Sequence, residues 1–299
     1  MTAVRVRLCG GLATHNLFIR HYSRKPISLK LPDLDFSTPK KQINFCDKCP
    51  PPDRDTPYTR LFPAEHEDAI DYKKSMPAAF HLRHLLISTG SHKWPKAIEK
   101  DEGTLAGLIA EKRHEFPLRS KMAKAGILIS NTTLPSEPGV SDVSSAYLFP
   151  DNLFIPEIPH PKTQEFLDTL LEQNDEIRAI KLKENFGARD NSADLWLVCG
   201  HAERDARCGD IGPLILGEMD EIKQEYARDT SRDSPRDIHT ALISHIGGHA
   251  FAGNVLLFSG QTGSSSWFGR VRPEHIQGLV KEWNDGRIVK ELYRGSFAD

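Results

Sequence analysis

The sequence predicts an α/β protein built of two similar halves. Three observations carry this expectation. Short apolar runs of strand length alternate with stretches of helical spacing, and the same order of elements occurs twice. The 299 residues, 38% hydrophobic and 27% charged, also suffice for about two domains, each large enough to bury a core. Nowhere do about 18 apolar residues run together, so no membrane-spanning helix is expected.

The first half, residues 79–184, opens with an apolar run at Leu82 to Ile87 and a helical pattern begun by Pro95. A second run, Ile127-Leu128-Ile129, precedes two strand-like pieces near Tyr147 to Phe149 and Leu153 to Ile155. A helix with Phe166, Leu167, Leu170 and Leu171 on one face closes it. After a polar linker, Asn185 to Ser192, the second half (193–290) repeats the order. Leu195 to Val198 reads as a strand, and Pro213 opens a helix carrying Ile215, Met219, Ile222 and Tyr226. Ala241 to Ile243, Val255 to Phe258 and Ser265 to Phe268 read as strands, and Ile276, Leu279, Val280 and Trp283 form a final helical stripe. Strand, helix, strand, strand, strand, helix suits a thioredoxin-like layer of helices on a mixed sheet, because a parallel crossover needs a helix and a hairpin only a turn. A short echo, Leu128-Ile129-Ser130-Asn131 against Leu242-Ile243-Ser244-His245, aligns Thr89 and Asn131 with Cys199 and His245 and implies that the first half lacks ligands.

The net charge of -2 averages two unlike parts. Residues 1–30 hold six basic side chains and no acidic one, whereas the remainder holds 33 basic and 41 acidic. A basic, acid-free, hydroxylated leader is what mitochondrial import uses; the other reading is a basic arm for nucleic acid, which an acidic body disfavours. The expected compartment is the mitochondrial matrix, with the intermembrane space as the alternative. Arg20-His21-Tyr22-Ser23 matches a processing site that would remove residues 1–22, Cys9 included, and leave Ser23 first. Residues 23–78, rich in Pro and charge, read as an extended lead-in.

Five cysteines in so long a chain are too few for a disulfide scaffold and read as ligands or redox groups. Cys199 and Cys208 are separated by eight residues, and His245-Ile246-Gly247-Gly248-His249 follows 36 residues later. Two thiols and two imidazoles supply the four ligands of tetrahedral zinc or of a 2Fe-2S cluster. Both pairs follow strands, at loop positions able to converge on one end of a sheet. The two glycines would cost a helix about 2 kcal/mol relative to Ala and let backbone approach a bulky centre. Eight residues between thiols make a looser loop than the C-x2-4-C turns of structural zinc sites. The helix opened by Pro213 is expected to point its positive end towards Cys208.

These residues, with Arg207-Cys208-Gly209, Phe251-Ala252-Gly253-Asn254 and Trp267-Phe268-Gly269-Arg270-Val271-x-Pro273, resemble the sucrase/ferredoxin-like family of fungi. The resemblance covers about residues 195–280 and implies that the second half is a thioredoxin-like ferredoxin. By that resemblance Cys199, Cys208, His245 and His249 hold a 2Fe-2S cluster, and the chain is an electron-transfer protein in thiol redox homeostasis rather than an enzyme with its own substrate. A protein electron donor or acceptor would be its partner. Replacing two thiolates by neutral imidazoles turns a dianionic oxidised cluster neutral, so its potential should lie above that of an all-Cys cluster. The free imidazole nitrogens would couple electron to proton transfer. The expected division puts Cys199 and Cys208 on one iron, and His245 and His249 on the other, nearer solvent.

Other signals are weaker. Cys46-Asp47-Lys48-Cys49 could be a redox dithiol, but Pro50-Pro51-Pro52 stops a long helix from starting there. The loop from Gly260 to Ser266 lacks a phosphate-binding Lys and reads as a hairpin turn. Trp267, Phe268, Arg270 and Arg272 could meet nucleic acid, but strand aromatics are usually core. His201 could support or replace a ligand, although a solvated loop His is commoner. The alternatives to the cluster are a zinc-stabilised interaction module without redox activity and a dithiol oxidoreductase acting through Cys46 and Cys49. Mass spectrometry of the protein from purified mitochondria is expected to find Ser23 at the amino terminus; an intact Met1 or Thr2 terminus overturns the leader.

Overall fold

The computed structural model describes residues 76–113, 126–136, 141–228 and 237–297. The leader, the processing site and Cys9, Cys46 and Cys49 lie outside the described residues. The first half contains β1 (Arg83–Ser88), α1 (Leu105–Arg113), β2 (Ile127–Thr132), β3 (Val143–Phe149), β4 (Leu153–Pro159), α2 (Thr163–Leu170), α3 (Asp175–Phe186) and β5 (Arg189–Asp190). The second contains β6 (Asp194–Cys199), α4 (Ala206–Arg228), β7 (Ile238–Ile243), β8 (Val255–Phe258), β9 (Ser265–Phe268), α5 (Ile276–Asn284) and β10 (Tyr293–Phe297). The fold is mixed α/β, and the ten strands among the described residues belong to one sheet in the order β10-β9-β8-β6-β7-β2-β1-β3-β4-β5.

The two halves repeat one topology. Strand one lies parallel to strand two across a helix, Ser88 opposite Thr132 in the first half and Cys199 opposite Ile243 in the second. Strand three is antiparallel to strand one, and strand four pairs with strand three. The halves join where β2 meets β7 antiparallel at Thr132 and Ile243. Two hydroxyls extend this short ladder symmetrically: the Asn131 amide donates to Ser244 Oγ at 2.9 Å, and the Leu242 amide to Thr133 Oγ1 at 3.0 Å.

Strand alternation explains the three cores. Trp196 and Val198 of β6 point to a core closed by Ile211, Ile215 and Met219 of α4 and by Leu279 and Val280 of α5. Leu85 and Ile87 of β1 point to a second core under α1, α2 and α3. The opposite faces meet each other. Leu86, Tyr147 and Phe149 pack with Leu195, Leu197, Leu256, Phe258 and Trp267, and Phe149 lies 4.5 Å from Phe258 between ring centroids. The sheet therefore folds on itself, with helices outside and a central core between the halves. Burial on both faces makes β6 a continuous apolar run rather than an alternating one.

Several expected boundaries shift. The pattern after Pro95 gives only a 3-10 turn at Ile98–Lys100, and the helix proper begins at Leu105. The linker region is partly ordered: α3 runs to Phe186, ends on Gly187 at φ 62°, and is followed by β5. Asn174 starts α3 by accepting the Ile177 amide with its side chain, an N-cap that the sparse apolar content of this helix concealed. The helix expected from Pro213 begins at Ala206 and contains that proline. The four-residue echo is out of register. Pairing makes Ser88 and Leu134, rather than Thr89 and Asn131, the counterparts of Cys199 and His245. Trp267 and Phe268 are both buried and not available for stacking on bases. β10 follows residue 290 and pairs with β9.

Burial also predicts an acid response. His84, beside Ser130 in the central core, is held well below the ordinary His range by burial and then by nearby His81, and burial lowers His275 to about 4. Both rings are neutral in the folded chain and take up protons on unfolding, so stability is full above the ordinary pKa of 6.5 and is lost as pH falls towards about 4. The urea midpoint should fall over that window, and His275→Gln should flatten part of the fall.

Candidate metal centre

Cys199 is the last residue of β6, and Cys208 stands in the first turn of α4, both buried. Asp205 begins that helix by accepting the Arg207 amide on Oδ1 at 3.0 Å, seven residues earlier than the proline suggested. Two glycines then bring the helix onto the strand end. A Cβ on Gly209 would meet the Ala202 Cβ at 2.5 Å, and one on Gly212 would meet the Cys199 carbonyl oxygen at 2.7 Å. Residues three apart share a helix face, so Gly209 and Gly212 form the flat side on which α4 reaches Cys199.

The approach places one sulfur against the other. The Cys208 thiol donates to Cys199, and the His201 amide donates to the same sulfur. These bonds hold Cys199 below the usual thiol range, whereas donation to Cys199 and burial push Cys208 up. The pair is thus an acidified sulfur beside one that keeps its proton.

The histidines occupy the loop after β7, as the glycines required. Gly247 and Gly248 have φ of 84° and 73°, in the left-handed region. The His245 and His249 rings lie 5.6 Å apart at 37°, His245 half-buried and His249 exposed. Burial, then Arg204 and His249, lower His245 to about 4, so its imidazole is neutral at ordinary pH and free to ligate.

His201 links the two pairs and is not a solvated loop residue. It is 2% exposed, its Nδ1 accepts the His245 amide at 3.0 Å, and its Nε2 lies 3.0 Å from the Pro95 carbonyl oxygen. With Nδ1 accepting, the ring proton sits on Nε2 and is donated to Pro95. The structure therefore brings thiol to thiol and imidazole to imidazole, with one residue between. Among the described residues, no three His, Cys, Asp or Glu side chains gather as they would around one ion.

A cleft of about 580 Å³ adjoins the histidine loop, lined by Pro77 to Ala79, Gly247, Gly248, Phe251 and Arg294. Arg294, on β10, donates to Asn254 Oδ1 at 2.6 Å and to the Pro77 carbonyl at 2.8 Å. Asn254 in turn donates to the Gly248 carbonyl at 3.1 Å. Sequence reading missed Arg294 because it lies beyond the last helical stripe, and it quoted Asn254 only as part of a motif.

The profile of the sucrase/ferredoxin-like family matches residues 75–295. This chain belongs to the sucrase/ferredoxin-like family. Among curated relatives of this sucrase/ferredoxin-like protein is altered inheritance of mitochondria protein 32 of Meyerozyma guilliermondii, 32% identical over 281 residues, 84% of this chain and 95% of the relative. The protein of the same name from Debaryomyces hansenii is 34% identical over 280 residues, 84% of this chain and 96% of the relative. No solved structure gives a significant match. The match begins at residue 75, one residue before buried Met76, and ends in β10, so the family region contains both halves, the histidine loop and Arg294.

The glycine contact gives a test. Gly212→Ala should force α4 from β6, cost about 1–3 kcal/mol in urea unfolding by overpacking, and raise the alkylation rate of Cys199 and Cys208 in the folded protein. Unchanged stability and thiol protection would show that the close approach is not needed.

Proposed function

We propose that the protein is a mitochondrial 2Fe-2S protein that transfers single electrons in redox homeostasis. The observation that carries the reading is the arrangement of the donors in two linked pairs. One ion would need all four donors around a single point, whereas a two-iron centre needs one pair at each end. Cys199 and Cys208 would hold the buried iron and His245 and His249 the outer one. Ligation requires thiolates and neutral imidazoles: the Cys199 sulfur and the His245 ring already lean that way, and Cys208 would give up its proton as the metal binds. When bound, such a cluster supplies one-electron chemistry.

The remaining functions belong to the chain. The central core and the paired glycines keep the thiols from water, and exposed His249 gives the outer pair a surface on which a protein electron donor or acceptor could dock. His201 fixes the distance between the pairs through its amide and its ring. The mitochondrial assignment is supported by the acid-free basic leader and by the names of the relatives, altered inheritance of mitochondria protein 32. The matrix remains our preferred compartment. The repeated strand order supports a thioredoxin-like reading of each half.

Anaerobically purified protein should be red-brown and contain iron and acid-labile sulfide in equal amounts. Replacing Cys199, Cys208, His245 or His249 by Ala should bleach it, and the potential of the wild type should fall as pH rises between about 6 and about 10. A colourless protein holding zinc would establish the interaction-module alternative instead. Redox activity that survives Cys199→Ala but not Cys46→Ala would establish the dithiol alternative.

A further inference from the structure

Arg294 has a position that ligand geometry alone does not explain. Its side chain leaves β10 through a slot made by two glycines: a Cβ on Gly248 would meet Nη2 at 2.5 Å, and one on Gly269 would meet Cδ at 2.9 Å. The residue is 7% exposed, and its guanidinium lies over the rings of Phe251 and Trp267, 5.5 and 5.8 Å from their centroids. Its acceptors are Asn254 Oδ1 and the carbonyl oxygens of Gly247 and Pro77, all neutral. Among the described residues no carboxylate pairs with it, and Nε is buried without a partner.

A buried cation without an anion is costly, and a fold that keeps one has a use for the charge. Asn254, which accepts Arg294 on Oδ1, also accepts the Cys199 amide on its backbone carbonyl at 2.9 Å, so the buried charge sits one residue away from the strand end that carries the Cys199 sulfur. The hydrogen bonds of Arg294, meanwhile, fix the histidine loop at two points, directly at Gly247 and through Asn254 at Gly248. They also tie that loop to the start of the fold at Pro77.

We propose that Arg294 is a positioning residue with two roles: it clamps the His245–His249 loop, and it is the buried counter-charge that favours the reduced, more negative state of the centre. The second role rests on the cluster reading above. A fixed positive charge in a poorly screened site lowers the free energy of the state with the extra electron, so removing it must lower the potential.

Arg294→Gln removes the charge, and Arg294→Lys keeps it while losing the fork of donors. At matched iron and sulfide content, Arg294→Gln should shift the oxidised-to-reduced equilibrium towards oxidised by about tenfold or more, about 59 mV for one electron. Arg294→Lys should stay near the wild type. A purely structural role would not separate Lys from Gln, so equal potentials in the two variants, or a Gln potential equal to that of the wild type, overturn the counter-charge. The clamp is read on the metal-free full chain: both variants should raise deuterium exchange over residues 244–254 and leave α2 and α3 unchanged. Unchanged exchange in that loop overturns the clamp. If Arg294→Gln does not fold, Arg294→Lys still decides: a potential as low as that of an Arg-free centre, read from Arg294→Met, overturns the charge role. Wild-type protein without iron and sulfide overturns the cluster reading and the counter-charge with it, and the exchange measurement still decides the clamp.

Discussion

The junction between β2 and β7 is the contact on which the rest of the molecule depends. It is short, one residue pair extended by the hydroxyls of Ser244 and Thr133. Yet it merges two five-stranded units into one sheet and lets that sheet fold so that the inner faces bury each other. Edge strands left open invite pairing with other chains, and here each half covers the inner edge of the other. The loop after β7 starts at this junction, since the Ser244 amide donates to the Asn131 carbonyl at 2.8 Å. Half one therefore anchors the loop that carries His245 and His249.

The two halves have diverged in chemistry while keeping the same scaffold. Where the second half ends its first strand in Cys199, the first ends in Ser88, and where the second has His245, the first has buried Leu134. Polar satisfaction follows the same division. The first half spends its charges on a structural network in which buried Arg178 binds Asp151 and Asp175, whereas the second keeps Arg294 buried with neutral acceptors next to the histidine loop. A closed ion-pair network rigidifies, and an open buried charge remains responsive to what binds nearby.

Much of this fold was legible in the residues. β8 and β9 fell where apolar runs and a Gly/Ser turn placed them, and Ile276, Leu279, Val280 and Trp283 marked α5 because a one-sided stripe survives any tertiary context. α3 escaped because it is mostly polar, and only Leu182 and Phe186 among its apolar residues are fully buried. The start of α4 was misplaced because proline is a strong signal at a helix start, while the true start rests on an Asp205 side chain and on backbone fit. The echo slipped by three residues because apolar strand tetrapeptides resemble one another, and register is set by pairing rather than by composition.

The candidate centre divides in the same way. Four ligand-type residues, their order, the glycine pair between the histidines and the family itself were determined by the sequence, because thiols, imidazoles and glycines are distinctive types whose chemistry travels with the residue. Tertiary structure alone decided that the thiols meet, that His201 joins the two pairs, and that Arg294 meets Asn254, whose backbone carbonyl accepts the Cys199 amide. Those facts depend on how α4 seats on two glycines and how a folded sheet brings β10 to the histidine loop. They are properties of packing between distant segments, and no local pattern of residues encodes them.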